Sequence, residues 1–333
     1  MLKVGVIGYG YWGPNIVRNF YQTPGSTVTM VCDLDPKSLE KVKKQYPEIT
    51  VTKDYQDIIN SKNVDIVAVI TPVHTHFKLS KAALEAGKHI FVEKPFTASS
   101  AEAIELIELA EKKNLKIMVD HTFLFTPAVR RIKAMVETGE LGDLIYYDST
   151  RVNLGLIQDD INVIWDLGPH DFSIMDFVIP NKVKSVSASA VAHFGRNQQE
   201  VAYVTTYLEN DLIGHFSFNW LSPVKIRKTL VGGRRKKLVW DDLSVDEKIK
   251  VYDRGVHFNS EESRKLLVEY REGDMYCPKL EMKEALALET KYFVDCILND
   301  QPILNDGHQG LRIVKMLEAT DLSLRNEGRI IDV

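Results

Sequence analysis

Cysteine is scarce in this chain: Cys32, Cys277 and Cys296 are the only three in 333 residues, and no two stand at CxxC spacing. Neither a disulfide framework nor a thiolate zinc site is suggested, and a reducing cytoplasm fits best. No run of about 18 apolar residues occurs, so no segment reads as a membrane span. The opening MLKVGVIGYG lacks an apolar stretch ending at a small-residue cleavage site, so no signal peptide is read there. Neither charge sign dominates; a formal net charge of −4 argues against a general nucleic-acid footprint. Internal repeats, low-complexity linkers and metal-ligand spacings are missing too, so no metal is implied. What remains is 44% hydrophobic and 26% charged, the balance of a folded soluble protein. A length of 333 residues makes two domains the default expectation.

Apolar runs and helical segments alternate over residues 1–120. Strands are expected at 3–8, 28–32, 65–70, 89–92 and 116–119, because short apolar runs are the mark of buried parallel strands. Helices are expected between them, with Pro36 opening one, Gly87 closing another, and Ser99 with Glu102 reading as a capping box. This alternation predicts an α/β Rossmann domain, a doubly wound parallel sheet. From residue 121 the texture changes: a helix over 127–138 is followed by strands of period two at 183–194, 201–208 and 212–218. Two more strands, 225–231 and 236–240, flank a hairpin signal at Gly232-Gly233, and helices return at 281–299 and 307–326. Residues 121–333 therefore read as an α+β domain on a large, mainly antiparallel sheet.

Gly8-Tyr9-Gly10-Tyr11-Trp12-Gly13 completes G-x-G-x-x-G between an expected strand and an expected helix. Its glycines permit a tight turn and close approach to a pyrophosphate lying on the helix N-terminus. The pattern alone could mark a mere turn; its placement favours the dinucleotide. Asp33 ends the second strand, where a carboxylate accepts from ribose hydroxyls and repels a 2′-phosphate, so NAD is favoured over NADP. Asp35 reads as the helix cap before Pro36, leaving Asp33 free. Glu93-Lys94-Pro95 follows the fourth strand of the expected series, at the edge where such sheets bind ligands, although a lysine there could equally be a solvated loop charge. In Asp166-Leu167-Gly168-Pro169-His170-Asp171, Gly168 and Pro169 suit a helix start better than a helix interior. A helix over 169–177 then places His170 in its first turn, where the dipole disfavours its cation and suits it to act as a base. A structural hydrogen-bonding histidine is the alternative. Arg227, Lys228, Arg234, Arg235, Lys236 and Lys237 surround the Gly232-Gly233 turn; they read as a solvated tip rather than a diphosphate site.

Together these motifs resemble the glucose–fructose oxidoreductase/inositol dehydrogenase/MocA family. The resemblance runs through VGVIGYGYWG, Thr71-Pro72 with His76, the block from Ala86 to Pro95, Pro127-Ala128-Val129-Arg130, Gly139-Glu140-Leu141-Gly142, and Asp166 to His170. It implies an NAD-dependent oxidoreductase in which Lys94 contacts the nicotinamide ribose and the reacting hydroxyl. It also implies His170 as acid/base, Asp166 as its substrate-binding or orienting partner, and Thr71, Pro72, His76 and Glu93 lining the nicotinamide site. On this reading Lys94 and His170 meet beside the nicotinamide. A cis bond before Pro95 and a homodimer or homotetramer through the C-terminal sheet are further implications. Where many members carry Asn or Gln followed by Arg, this chain reads His121-Thr122-Phe123-Leu124-Phe125, which weakens a simple free-sugar mode. The stretch 151–156 leading to Trp165 and Asp166 looks like members acting at C3 of nucleotide-linked, often acetamido, hexoses or hexuronates. An inositol or free-sugar dehydrogenase, and a non-catalytic NAD-binding regulator, are the alternatives.

Overall fold

Why the first sheet forms is visible in its strands, nearly all of whose central residues are apolar and sealed from solvent. The computed structural model describes residues 1–155, 157–158, 160–195, 198–259 and 267–333, with no side chains described at 257–259 or 267–269. Leu156, which ends the stretch 151–156, lies outside the described residues. The chain divides into two compact units, Met1–Phe125 with Lys283–Lys315, and Thr126–Met282 with Met316–Val333.

In the first unit the elements run β1 (Leu2–Ile7), α1 (Gly13–Gln22), β2 (Ser26–Cys32), α2 (Pro36–Gln45), β3 (Thr50–Thr52), α3 (Tyr55–Ile59), β4 (Ile66–Val69), α4 (His76–Glu85), β5 (His89–Glu93), α5 (Ser100–Lys112) and β6 (Ile117–Asp120). The six strands pair in parallel in the order β3-β2-β1-β4-β5-β6, a doubly wound sheet as expected. Val4, Val6, Ile66, Val67, Ile90, Phe91 and Val92 are all fully buried. Ser99 caps α5 by accepting from the Glu102 N–H at 3.3 Å, and Glu102 returns a bond to the Ala98 N–H at 3.1 Å. The short β3 and α3 escaped sequence reading because three-residue and five-residue elements carry too few periodic positions.

Helix α8 (Ala285–Leu298) packs within this first unit, although a split at residue 120 assigns it to the second domain. Its Phe293 is fully buried with its ring 5.9 Å from Phe91, and its Thr290 hydroxyl meets that of Thr23 at 2.9 Å. Burial of an aromatic side chain outweighs chain distance here.

The second unit begins with α6 (Pro127–Glu137) and β7 (Leu144–Leu154), followed by α7 (Val163–Val178). Then come β8 (Val183–Val191), β9 (Val201–Leu208), β10 (Ile213–Asn219), β11 (Leu221–Gly233), β12 (Lys237–Asp241), β13 (Ile249–Asn259) and β14 (Leu267–Tyr276). Helix α9 (Gly307–Arg325) contributes to both units, and β15 (Ile331–Asp332) closes the chain. The nine-stranded sheet runs β14-β13-β12-β11-β7-β10-β9-β8-β15, antiparallel throughout except between β7 and β10. The hairpin turn falls just beyond Gly232-Gly233, with Gly232 still paired to Lys237. Both glycines are demanded by crowding instead: an added Cβ would sit 2.1 Å from the Tyr146 ring at Gly232 and 2.1 Å from the Leu141 carbonyl oxygen at Gly233. No helix among the described residues is long and apolar enough to cross a membrane.

Candidate functional site

The glycine loop joins β1 to α1 and is shaped by its own backbone. Gly8 has φ +103°, and a Cβ there would lie 2.1 Å from the Ile70 carbonyl oxygen; at Gly13 it would lie 2.7 Å from that of Gly8. At Gly10 it would meet nothing within 4 Å. Helix α1 has no side-chain cap and no acidic residue in its first turn, which leaves its positive end for an anion. An open cradle at Gly10 over such a helix start fits a dinucleotide pyrophosphate. Tyr11 is 91% exposed and therefore open to a ligand, whereas the Trp12 indole N–H turns inward to Asp120 Oδ2 at 2.9 Å. Asp33 is not free, contrary to expectation: its Oδ2 accepts from the Tyr9 N–H at 2.6 Å and its Oδ1 from the Asp35 N–H at 2.8 Å. Each oxygen keeps a second lone pair for a ribose hydroxyl. Asp35 does cap α2, accepting from the Lys37 N–H at 3.0 Å.

At the carboxyl ends of β4, β5 and β6 the titratable side chains crowd together. Thr71 shares a hydroxyl bond with Thr75 at 2.6 Å, just after β4 and beside Pro72. His76 does not present a free ring: Nε2 faces the Thr71 carbonyl at 2.7 Å and Nδ1 that of Pro95 at 2.9 Å, clasping two loops together. Burial lowers its proton affinity, against the pull of those carbonyls. The Lys94-Pro95 peptide is cis. Burial first, and then the neighbouring Asp120 carboxyl, push Glu93 well above the usual carboxylate range, with Lys94 opposing. His121 is 1% exposed, and neither ring nitrogen meets a partner among the described residues. Burial and the Lys94 charge push its pKa down to about 3, so the ring is neutral and can both donate and accept. Glu289, fully buried on α8, is likewise raised by burial and by Asp120.

In the second unit α7 carries the other candidate side chains, and it starts six residues earlier than expected. Asn162 caps it, its Oδ1 accepting from the Ile164 and Trp165 N–H groups at 3.0 Å each. Pro169 lies inside the helix, at a cost of about 3 kcal/mol in helix propensity. Burial of Val163, Ile164, Phe172, Ile174 and Met175 offsets that, with Phe172 edge-on to Phe216 at 4.9 Å. His170 is consequently two turns into the helix, so the dipole argument for its neutrality does not apply; Asp166 holds the first-turn position. Asp166 and His170, four apart, share one face, and both are half-buried. The Trp220 indole N–H donates to Asp166 Oδ2 at 3.0 Å and fixes that carboxylate. Asp171 turns inward, where Arg151 meets it through Nε at 2.8 Å and Nη2 at 3.0 Å. The basic residues around the hairpin are not a bare patch: Arg227 pairs with Asp242, Lys228 with Asp241, Arg234 with Asp143 and Lys236 with Glu140.

Comparison with known proteins resolves what such a pair of units is. Residues 2–121 match the oxidoreductase family with NAD-binding Rossmann fold, and residues 129–238 match the GFO/IDH/MocA C-terminal domain. The chain belongs to the Gfo/Idh/MocA oxidoreductases. Over 94% of its length and 94% of the relative's, it is 25% identical to a UDP-N-acetylglucosamine 3-dehydrogenase of Acidithiobacillus ferrooxidans. The solved structure of that protein superposes with a TM-score of 0.82 over 98% of both chains, at 23% identity. Inositol 2-dehydrogenase of Salmonella typhimurium is 28% identical over 56% of each chain. An uncharacterized Escherichia coli oxidoreductase, YdgJ, is 36% identical over 44% of this chain and 42% of its own. The chain thus spans about half the length of several curated relatives it matches.

As a Gfo/Idh/MocA oxidoreductase the protein is an NAD-binding enzyme, and its glycine loop and β5 edge stand where the sequence put them. Sequence reasoning missed the rest of the polar cluster. Asp120 was hidden at the end of an apolar strand, and Glu289 lies far along the chain on a helix that betrayed no partner. His121 was noticed only as a departure from a family pattern, although a polar His-Thr directly after a buried strand was a usable signal.

Proposed function

We propose that this oxidoreductase moves a hydride between NAD and a sugar ring carbinol or ketone, with C3 of a nucleotide-linked, often acetamido, hexose as the reacting position. The observation that carries this reading is likeness to a UDP-N-acetylglucosamine 3-dehydrogenase along 94% of both chains, in a sequence that carries Lys94, Asp166 and His170. Nicotinamide supplies the hydride chemistry. The protein's part is to move the proton and stabilise charge. His170 takes the hydroxyl proton as the carbinol becomes a ketone, a role worth about 10²–10⁴-fold. Lys94 stabilises the developing alkoxide, and Asp166, held by Trp220, orients substrate or imidazole. Gly8, Gly10, Tyr11, Trp12, Gly13 and Asp33 receive the adenosine and pyrophosphate half; Thr71, Pro72, His76 and Glu93 shape the nicotinamide half. Residues 121–333, apart from the segment 283–315 that packs in the first unit, form the substrate domain on this reading. The sheet face bearing exposed Tyr203 and half-buried His215, which stack at 6.3 Å, then serves homo-oligomer assembly.

Lys94→Ala should keep NADH binding and lose turnover; wild-type-like turnover in that variant removes Lys94 from the mechanism. A second reading, an inositol or free-sugar dehydrogenase, is favoured by the likeness to inositol 2-dehydrogenase. Thermal shift with UDP- and dTDP-sugars against inositols and free hexoses separates the two, because stabilisation follows RT ln(1 + [L]/Kd). A response to inositol alone rejects the nucleotide-sugar reading.

A further inference from the structure

The first unit presses three carboxyl groups against one another. Glu93 closes β5, Asp120 closes β6, and Glu289 reaches them from α8. Asp120 is 2% exposed and Glu289 0%, while Glu93 keeps some surface but has its Oε2 sealed from solvent. The Trp12 indole N–H donates to Asp120 Oδ2 at 2.9 Å, and the Thr122 hydroxyl donates to its Oδ1. The Asn305 side-chain amide donates to Glu289 Oε1 at 3.0 Å and to the Val119 carbonyl at 2.7 Å. Glu93 Oε2 and Glu289 Oε2 then find no donor among the described residues, although both carboxyls lie within hydrogen-bonding reach of Asp120. Oxygen facing oxygen is repulsive unless a proton lies between them, and then the same geometry is a hydrogen bond.

The surrounding charge cannot balance three carboxylates. Among the described residues the cation that acts on Glu93 is Lys94, and His121, just beyond β6, is held neutral by burial and by Lys94. One ammonium against these acids leaves the cluster short of positive charge, so Glu93 and Glu289 bind protons more tightly than ordinary carboxyls. The relevant ligand differs by one positive charge between its forms, since the nicotinamide ring is cationic when oxidised and neutral when reduced. In doubly wound sheets ligands sit beyond the carboxyl ends of the strands, the edge where Glu93 and Asp120 stand.

We propose that Glu93 and Glu289, set against the Asp120 carboxylate, hold a proton that the protein releases when oxidised NAD binds and keeps when reduced NAD binds. Glu289 is a positioning residue here: it acts on Lys94 and the cofactor edge through Asp120. The proposal rests on the NAD-dependent reading and is independent of which sugar reacts. The affinity for oxidised NAD then rises with pH, while that for reduced NAD stays flat.

Calorimetric titration of the whole protein with each cofactor, without sugar, in phosphate and again in Tris, reads this directly. For oxidised NAD the apparent enthalpies should differ between buffers by the ionisation heat of the released proton; for reduced NAD they should agree. Glu289→Gln should abolish most of the difference and Lys94→Met should keep it. Should Glu289→Gln fail to fold, an infrared difference spectrum of the wild-type protein serves instead, and a protonated-carboxyl band should disappear on adding oxidised NAD. Equal enthalpies in both buffers, an unchanged carboxyl band, or a release that survives Glu289→Gln and vanishes in Lys94→Met would each overturn the proposal. Such a result leaves the dehydrogenase reading standing, because that reading is decided by turnover of Lys94→Ala.

Discussion

In the second unit Arg151 and Asp171 are 4% and 2% exposed and meet through two hydrogen bonds, at 2.8 and 3.0 Å, so that each charge finds its opposite. In the first unit Glu93, Asp120 and Glu289 face one another, and among the described residues Lys94 is the cation set against them. Both arrangements bury ionisable groups, yet they have opposite consequences. A matched fork locks α7 to β7 and has one charge state worth occupying. An unmatched cluster has several protonation states close in energy, which suits it to respond to an arriving charge. Burial alone therefore does not distinguish a structural group from a responsive one; the local charge count does.

The comparison breaks most visibly at the fork. Arg151→Met leaves Asp171 buried without its forked partner, and should cost about 3–5 kcal/mol in urea-induced unfolding. Replacing both partners with apolar residues should recover much of that, and a double variant as unstable as the single one would contradict the matched-pair account. The cluster should show the reverse pattern. Glu289 has a raised affinity for its proton in the folded state, so the unfolded chain loses that proton first as pH climbs. Stability then falls with rising pH above the ordinary glutamate range, by up to about 1.4 kcal/mol per pH unit, until the folded group also ionises. Glu289→Gln should flatten that decline and gain relative stability at pH 8 over pH 5; an unaltered slope would remove Glu289 from the proton-holding group. Smallest is the loss expected for Asn162→Ala, about 1 kcal/mol, from removing the cap of α7. Thermal melts should register it without any change in the pH slope.

Much of the first unit was legible because parallel strands buried on both faces read as apolar runs, as at 66–69 and 89–92. The second unit resisted for identifiable reasons. Gly168 and Pro169 look like a helix start, yet packing of Phe172 and its neighbours carries α7 straight through them. Strand β14 is heavily charged, as in the segment LVEYREGDMY, and in β13 the alternation begun by buried Ile249 and Val251 breaks at Asp253 and Arg254. At the site, the glycine loop and Lys94 were visible because each is a contiguous motif. Glu289 was not, since a glutamate becomes remarkable only when the fold removes its water and sets a second acid beside it.

Gly8 and Gly13 are small because neighbouring carbonyls leave them no room; Gly10, between them, has room to spare. A methyl at position 10 would displace no atom of the polypeptide, so on the proposed reading the demand for smallness there originates with the dinucleotide and not with the fold. Within six residues the loop thus keeps two separate accounts of why it is bare, one owed to folding and one to recognition.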